Sequence, residues 1–363
     1  MPSVSDIIIL IPSYEPDEKL VKLVEELSLK RFYGILIVDD GSTDKYKNIF
    51  DACRLFSKCT VIGYGNNRGK GRALKTGFEY IIKHFPDCEG VVTADCDGQH
   101  KPGDIEKIAR EMTEHPGELV IGARNCLNNN VPLRSRFGNL VTRNIFAFLS
   151  GIKVKDTQTG LRGIPKSELE FMLSVKGERF EYEMHMLMDA RQRAVKIRET
   201  DIETIYIEDN KSTHFRTIQD SALVYSVFVK HICKFVMSSL LSSVIDWGLF
   251  TLLLVFVFHS EYKNAAGFAD IFTNIPLLVS FTGARLVSSL INFIINRKLV
   301  FKDRGNFGKS VFRYYLLVAA VAVCTFTLLS LFVFIHIPAV IAQPLATVIM
   351  FILSYYAQRV FVF

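Results

Sequence analysis

The sequence lacks closely spaced cysteines, and its first residues do not show the pattern of a targeting segment. Its seven cysteines are scattered and odd in number, and no two of them form a Cys-x-x-Cys pair. We therefore expect neither a disulfide framework nor a zinc site, and the pattern is typical of a reducing compartment. The first apolar run, residues 7–11, is only strand length and ends in Pro12, with no basic segment before it. We expect no cleavable signal peptide.

The last third of the chain is poor in charge. Residues 235–363 contain nine lysines and arginines and four acidic residues, whereas the first 234 residues contain 34 basic and 33 acidic ones. The N-terminal part is therefore predicted to be a nearly neutral soluble domain, long enough for one large core. The excess positive charge lies beside apolar stretches, which indicates an anionic membrane face as partner and no nucleic acid.

Four apolar stretches follow one another in this C-terminal part. Each has about the ~20 residues that a bilayer core requires, and they cover residues 235–258, 275–295, 314–335 and 339–356. Six lysines and arginines lie between the second and third stretches, against one after the first stretch and none after the third. The positive-inside rule then predicts a multi-pass protein of the cell (inner) membrane, with both termini and the soluble domain in the cytosol.

The chain is thus predicted to have three parts. Residues 1–215 form the soluble domain, residues 216–234 a helix in the membrane interface, and residues 235–363 an all-α domain of four transmembrane helices. The second and fourth stretches end in similar segments that contain Arg and aromatic residues. These segments are Asn296-Arg297-Lys298-Leu299-Val300-Phe301 and Gln358-Arg359-Val360-Phe361-Val362-Phe363. They indicate an internal duplication of two hairpins with the same polarity.

Two charges lie inside the apolar stretches. Asp246 is eleven residues into the first stretch, and Arg285 lies twelve residues before Arg297. At ~1.5 Å per residue, both are roughly 16–18 Å from the cytosolic face. Isolated charges at that depth are costly and usually pair, so we expect an interhelical ion pair between Asp246 and Arg285.

The first half of the chain alternates strands with helices. Strands are predicted at residues 7–11, 35–38, 61–62 and 90–93, with helices at 17–29, from 44 and at 70–83. This alternation predicts an α/β fold with a doubly wound, mostly parallel sheet. In such sheets ligands bind outside the carboxyl ends of the strands, and there the sequence places its polar clusters.

One of these clusters, Asp95-Cys96-Asp97-Gly98-Gln99, follows the strand at residues 90–93. Its carboxylate and amide oxygens are ligands for Mg²⁺ or Mn²⁺. Such an ion would help a diphosphate to leave. A glycine-rich segment with three cations, residues 67–73, is predicted to face a diphosphate, although it lacks the Walker arrangement of an NTPase loop.

The motifs together resemble the GT-A domain (a Rossmann-like fold) of family 2 glycosyltransferases. The resemblance rests on Pro-Ser-Tyr-Glu, Val-Asp-Asp-Gly-Ser and Asp-Cys-Asp-Gly-Gln-His, in this order and spacing. Asp156-Thr157-Gln158-Thr159-Gly160-Leu161-Arg162 and Asn210-Lys211-Ser212-Thr213-His214-Phe215 are similar to segments of the polyprenyl- or dolichyl-phosphate sugar synthases. The C-terminal part resembles the GtrA-like membrane family.

The resemblance implies a role for each matched residue. Nucleotide-sugar binding is implied for Pro12, Tyr14, Glu15, Asp40, Asp95, Lys211 and Ser212, the last two in a segment with His214 that closes over the donor phosphates. Metal binding at the diphosphate is implied for Asp95, Asp97 and Gln99, with Asp97 also catalytic. Binding of the acceptor phosphate is implied for Arg124 and for one of Arg134 and Arg136. Asp156, in an Asp-Thr-x-Thr turn, is open to a role in backbone capping alone.

The implied reaction is an inverting, metal-dependent transfer of a hexose from a nucleotide sugar to a polyprenyl phosphate at the cytosolic membrane face. UDP-sugars are favoured, and GDP-mannose is an alternative. A phosphate acceptor already carries a nucleophilic oxygen, so positioning and electrostatics would carry catalysis without a strong base. The implied partners are the nucleotide sugar, undecaprenyl or dolichyl phosphate and the lipid bilayer, with homo-oligomerisation open.

Two alternatives remain at this point. An enzyme that acts on a hydroxyl acceptor would need a carboxylate base, for which Glu181 and Glu183 are candidates. A chain that is both synthase and lipid-linked-sugar translocator would be favoured by polar residues inside the membrane domain, whereas simple hairpins would favour an anchor.

Overall fold

The computed structural model describes residues 3–124, 133–193, 195–203, 217–257, 275–301, 303, 305–337 and 339–363. The chain divides into two compact units, Met1–Phe228 and Val229–Phe363. The predicted boundaries near residues 215 and 234 stay a prediction, and a single helix covers residues on both sides of the second one.

The N-terminal unit is a seven-stranded sheet covered by helices. Its strands are β1 (Ile7–Ser13), β2 (Gly34–Asp39), β3 (Cys59–Gly63), β4 (Gly90–Thr93), β5 (Leu119–Arg124), β6 (Arg162–Pro165) and β7 (Ile197–Ile202). Its helices are α1 (Glu18–Ser28), α2 (Lys47–Arg54), α3 (Lys70–His84), α4 (Pro102–Glu114), α5 (Leu133–Ser150), α6 (Lys166–Ser174) and α7 (Glu181–Gln192), with short 3₁₀ turns at Val4–Asp6 and Asp44–Tyr46.

The strand order is β3-β2-β1-β4-β6-β5-β7. All neighbours pair in parallel except β6, which is antiparallel to both β4 and β5. The predicted α/β fold with a mostly parallel sheet is confirmed. Because β6 reverses direction between β4 and β5, those two strands run the same way. The carboxyl ends of β1, β2, β4 and β5 therefore lie at one edge of the sheet.

The core forms because the central strands are apolar on both faces. All seven residues of β1 are buried. On one face α1 packs with Leu20, Leu23, Val24 and Leu27, a helical spacing that places them on one side. On the other face α3 approaches β1 closely, since a Cβ at Gly77 would lie 2.3 Å from the side chain of Leu10.

The C-terminal unit is helical. The helices are α8 (Thr217–Thr251, which contains the boundary between the units), α9 (Ile275–Ile295), α10 (Phe307–Phe334) and α11 (Ala339–Ala357), with π-helical segments at Leu252–Val257, Asn296–Val300 and Gln358–Val362. Within the described part of the chain, the helical stretches Gln219–Val257 and Phe307–Thr325 are long and apolar enough to cross a membrane. The count of four spans stays a prediction.

The two repeated segments of this unit contact each other. The Asn296 side-chain amide donates to the Gln358 amide oxygen at 3.0 Å, and these residues are 62 positions apart. The rings of Phe301 and Phe363, at the same spacing, stack with centroids 4.9 Å apart and planes 22° apart. Equivalent residues of the two repeats therefore lie face to face.

Further contacts are exchanged between the repeats. Phe293 packs on Phe363 with ring centroids 5.5 Å apart. Its equivalent, Tyr355, packs on Phe301 at the same centroid distance. Reciprocal contacts of this kind are what a two-fold relation produces. They support the predicted duplication at the ends of α9 and α11, and the repetition of whole hairpins with one polarity stays a prediction.

Candidate active site

The carboxylate of Asp95, just past the carboxyl end of β4, is held by two basic side chains. The Lys70 ammonium lies 2.6 Å from Asp95 Oδ1 and 2.9 Å from the carboxylate of Glu183. His100 Nε2 lies 3.2 Å from the other oxygen, Asp95 Oδ2. Lys70 and His100 thus join the Asp-x-Asp cluster, although the sequence interpretation assigned no role to His100 and none to Lys70 beyond its place in a cationic segment.

The pKa values of the two aspartates move in opposite directions. Burial alone would raise the pKa of Asp95, but the positive charge of Lys70 and a hydrogen bond to His100 lower it far below its ordinary value. Burial and the negative charge of Asp95 raise the pKa of Asp97, although the backbone N–H of Gln99 donates to Asp97 Oδ1 at 3.0 Å. Asp95 is thus paired with the Lys70 ammonium and hydrogen-bonded to His100, whereas burial beside Asp95 disfavours the charged form of Asp97.

This donor set fits a divalent cation. Carboxylate oxygens of Asp95 and Asp97 and the amide of the buried Gln99 provide hard oxygen ligands. Burial and, after it, the negative charge of Asp95 raise the pKa of Asp97, and a hard cation at this point would stabilise the charged carboxylate. The three residues are thus chemically suited to the predicted Mg²⁺ or Mn²⁺.

Asp40, just after β2, organises the loop that precedes α3. It is 3% exposed. Its carboxylate accepts hydrogen bonds at 2.6–3.1 Å from the Tyr64 hydroxyl, the Asn67 side chain and the backbone N–H groups of Arg68 and Gly69. Burial and the bond to Asp40 raise the pKa of Tyr64. Direct binding of the nucleotide by Asp40 stays a prediction, and the structure adds this loop-holding role.

The ends of β1 and β2 are joined by hydrogen bonds. Pro12 is paired with Val38 in the sheet. Beyond the strand, Glu15 has a φ of 47°, and its N–H donates to Ser42 Oγ at 2.8 Å. Left-handed backbone is uncommon for a residue with a side chain and is often kept at functional sites. With the half-buried Tyr14 beside it, this turn presents the residues predicted to bind the nucleotide.

Arg124, the last residue of β5, is held by the fully buried Asp156. Its Nε donates to Asp156 Oδ2 at 2.5 Å and its Nη2 to Oδ1 at 3.1 Å. Burial would raise the pKa of Asp156, but Arg124 lowers it. The carboxylate also accepts from the N–H of Gln158 at 2.9 Å. Asp156 therefore combines backbone capping with a bidentate ion pair that orients Arg124.

Arg162 is a buried organising residue that the sequence interpretation passed over. It is 1% exposed, and its guanidinium donates to the carbonyl oxygens of Thr159 at 3.0 Å, Glu183 at 2.7 Å and Thr157 at 3.4 Å. Burial lowers its pKa. The guanidinium thereby ties the segment after Asp156 to the start of α7. Its place in the Asp-Thr-Gln-Thr-Gly-Leu-Arg motif was the available signal.

Two of the three cations in the segment 67–73, Lys70 and Arg72, turn toward the protein's own carboxylates, whereas the Arg68 guanidinium lies over the Tyr64 ring. Besides the contacts of Lys70, Arg72 Nε lies 2.6 Å from Glu178. The backbone N–H of Arg72 donates to the Glu178 carbonyl at 2.9 Å. For Lys70 and Arg72 this differs from the predicted diphosphate-facing surface, because residues 177–183 pack directly over the first turn of α3. For Arg68 that role stays a prediction.

Other predicted residues lie outside this description. Lys211, Ser212 and His214 are not among the described residues. Arg134 and Arg136 lie on α5, but their side chains are not described.

The sequence matches two known families. The family "Glycosyl transferase family 2" matches residues 8–166, and "GtrA/DPMS, transmembrane domain" matches residues 234–363. A UDP-N-acetylglucosamine–dolichyl-phosphate N-acetylglucosaminyltransferase of Methanococcus voltae is 32% identical, over 56% of this chain and 86% of that protein. The dolichyl-phosphate beta-glucosyltransferase of Saccharomyces cerevisiae is 28% identical, over 56% and 68%.

Solved structures give a more distant likeness. Glucosyl-3-phosphoglycerate synthase from Mycobacterium tuberculosis, crystallised with Mn²⁺, UDP and glucosyl-3-phosphoglycerate, aligns with a TM-score of 0.47 at 16% identity. The alignment covers 62% of this chain and 78% of that one.

The N-terminal unit is therefore a GT-A-like glycosyltransferase domain, followed by a GtrA-like membrane region. The chain belongs to the family 2 glycosyltransferases and is a membrane protein.

Proposed function

We propose that the chain transfers a hexose from a nucleotide sugar, preferentially a UDP-sugar, to a polyprenyl phosphate at the cytosolic face of the membrane, with inversion at the anomeric carbon. The relatives from Methanococcus and Saccharomyces are named as dolichyl-phosphate glycosyltransferases, which supports a polyprenyl phosphate as the acceptor.

The observation that carries the proposal is the orientation of Arg124. This guanidinium lies at the carboxyl end of β5, on the sheet edge where Asp95 and Asp97 follow β4. Its pair with the buried Asp156 holds it in one orientation. A rigid arginine at the edge that binds the donor is suited to a second anionic group, here the phosphate of the acceptor.

Asp95, Asp97 and Gln99 would hold a divalent ion at this edge, and the ion, when bound, would stabilise the negative charge of the departing nucleoside diphosphate. Pro12, Tyr14 and Glu15 would bind the nucleoside part, with Asp40 keeping the neighbouring loop in place. The acceptor phosphate, already anionic, would be positioned by Arg124 and one of Arg134 and Arg136.

A hydroxyl acceptor is less well supported. The carboxylate of Glu183, one candidate base, lies 2.9 Å from the Lys70 ammonium. Glu181 accepts from the backbone N–H groups of Glu178 and Arg179 at 3.1 and 3.4 Å. Either carboxylate would have to leave these contacts before it could reach the hydroxyl of an acceptor.

The membrane unit is better suited to an anchor than to a translocation path. Polar side chains do lie between α8 and α9, but they bond to one another. These contacts are Ser238 to Asn292 at 2.8 Å, Ser242 to the Ser288 carbonyl at 2.7 Å, and Ser288 to Asp246 at 2.8 Å. Mutually bonded polar residues act as contacts between transmembrane helices.

The test is an acceptor comparison. Purified full-length protein is incubated with Mn²⁺ and a panel of nucleotide sugars, together with either undecaprenyl phosphate or undecaprenol, and lipid products are identified by mass spectrometry. We expect a hexosylated lipid phosphate and no product with the alcohol. A product from undecaprenol alone would establish a hydroxyl acceptor instead.

A further inference from the structure

The carboxylate of Glu183 is turned toward Lys70, and the first turn of α3 fixes this geometry. Gly69 and Gly71 allow residues 177–183 to pack against α3, because a Cβ at Gly69 would lie 2.5 Å from the Glu178 carbonyl oxygen. A Cβ at Gly71 would lie 2.6 Å from Tyr182 Cβ. Glu183, the third residue of α7, is thereby brought to the Lys70 ammonium at 2.9 Å.

Two further cations secure the same segment. The buried ammonium of Lys75 donates to the Gly177 carbonyl at 2.9 Å and to the Glu178 carboxylate at 3.0 Å, and Arg72 contacts the other oxygen of that carboxylate. The approach of α7 to α3 is therefore determined by several contacts that do not involve Glu183. The contact between Glu183 and Lys70 is therefore not needed to hold α7 against α3.

The Lys70 ammonium is shared between two carboxylates. It lies 2.6 Å from Asp95 and 2.9 Å from Glu183, and both Glu183 and Lys70 are largely buried. Gly160 closes the third side, because a Cβ there would lie 2.7 Å from the Lys70 ammonium and 2.5 Å from Asp95 Oδ2. The ammonium has little space in which to move. Without Glu183 its charge would act on Asp95 alone.

We propose that Glu183 is a positioning residue that shares the Lys70 ammonium with Asp95 and so keeps Asp95 available to a divalent cation. The inference rests on the proposed function, in which Asp95 binds the metal at the donor diphosphate. It differs from the role of general base that a hydroxyl acceptor would require. Glu183 acts through Lys70, and Lys70 acts on Asp95.

The test measures Mn²⁺ binding to the full-length protein in detergent by electron paramagnetic resonance, with no acceptor present. In Glu183→Gln, Lys70 should neutralise Asp95 more completely, and the apparent Kd for Mn²⁺ should rise about 10-fold. Glu183→Asp, which keeps the charge, should recover part of this loss. Glu106→Gln removes a carboxylate from a comparable contact with Lys30 at 2.5 Å and should leave Mn²⁺ binding unchanged.

A double-mutant cycle separates this role from a general effect on folding. Lys70→Met and the double variant Lys70→Met/Glu183→Gln should bind Mn²⁺ equally, because Glu183 has no route to Asp95 without Lys70. Wild-type Mn²⁺ affinity in Glu183→Gln, or an equal further loss in the Lys70→Met background, would overturn the proposal.

These outcomes are distinct from a failure of the proposed function. If Glu183 were a base, Glu183→Gln would abolish transfer at every pH while binding Mn²⁺ normally. A wild-type protein that binds Mn²⁺ but transfers no sugar to lipid phosphate would refute the acceptor and leave the role of Glu183 standing. A wild-type protein that binds no Mn²⁺ would refute both.

Discussion

Arg285 Nη1 lies 3.5 Å from Asp246 Oδ2, joining α9 to α8. The ion pair expected from their equal depth in the apolar stretches is thus confirmed. Ser288 donates to the other carboxylate oxygen at 2.8 Å. Because an unpaired charge between apolar helices is costly, this pair and its serine stabilise the packing of α9 on α8.

Neutralising either member should therefore destabilise the membrane unit. We expect Asp246→Asn and Arg285→Gln each to lower the melting temperature in detergent. The swapped double variant, Asp246→Arg/Arg285→Asp, should recover part of the loss, with a coupling of about 1 kcal/mol. Thr251→Val, five residues beyond Asp246 on α8, is the control. Additive losses in the double variant would contradict a direct interaction.

Asp97→Asn should abolish sugar transfer without unfolding the protein. The substitution removes an anionic ligand from the proposed metal site, and a loss of about 100-fold or more is expected. Transfer is measured by radiolabelled lipid product and folding by thermal melting. EDTA should have the same effect on the wild type. Asp51→Asn, in an exposed pair with Arg54, should be fully active, and activity of Asp97→Asn near the wild-type rate would exclude this metal mechanism.

Arg124→Ala should raise the KM for lipid phosphate more than the Kd for the nucleotide sugar. A charge-assisted contact contributes about 1.5–3 kcal/mol, which corresponds to about 10- to 100-fold in KM. Arg198→Ala, on β7, removes an arginine from a 2.7 Å contact with Glu118 and should change neither constant. A selective loss of donor binding would reverse the assignment of Arg124.

Gly160→Ala should impair both metal binding and transfer. An added Cβ would lie 2.5 and 2.6 Å from the carboxylate oxygens of Asp95, so that either Asp95 or the segment after Asp156 must move. At Gly103 an added Cβ meets nothing within 4 Å. Gly103→Ala should therefore retain activity and raise the free energy of unfolding by about 0.5 kcal/mol. Equal activity of the two variants would show that Asp95 has room to adjust.

Asp156 should make stability depend on pH in the acid range. Its pKa is lowered in the folded protein by Arg124, against burial, from an ordinary value of 3.8. The contribution of the pair is therefore fully present above about pH 4 and is lost as pH falls from there toward the lowered pKa. Asp156→Asn should lower the free energy of unfolding by about 3 kcal/mol at neutral pH. It should also weaken the dependence of stability on pH below about pH 4. Melting curves from pH 7 to pH 3 measure both effects, and parallel curves would contradict the pair's contribution.

Local sequence signals predicted the first half of the sheet well. The strand predicted at residues 90–93 is β4 with the same bounds, and the apolar run at residues 7–11 lies within β1. Apolar runs that end in polar clusters are local features, so they can be read without tertiary contacts. The strand β6 was not predicted, because Arg162-Gly163-Ile164-Pro165 has little strand propensity. It is a strand because its neighbours on both sides supply hydrogen bonds and Gly163 fits against Met112.

By itself, the sequence determined which strands end in polar clusters, where the apolar segments lie, and that two segments with Arg and aromatic residues recur 62 positions apart. Each follows from residues close together in the chain, whose spacing is set by helix and strand geometry. Only the tertiary structure decided that Lys70 joins Asp95 to Glu183, that Asp156 holds Arg124 and that Arg162 ties two loops together. Those contacts join residues far apart in sequence, and they arise because the crossing of β6 and the packing of α7 on α3 bring buried charges within hydrogen-bonding distance, where burial makes pairing necessary.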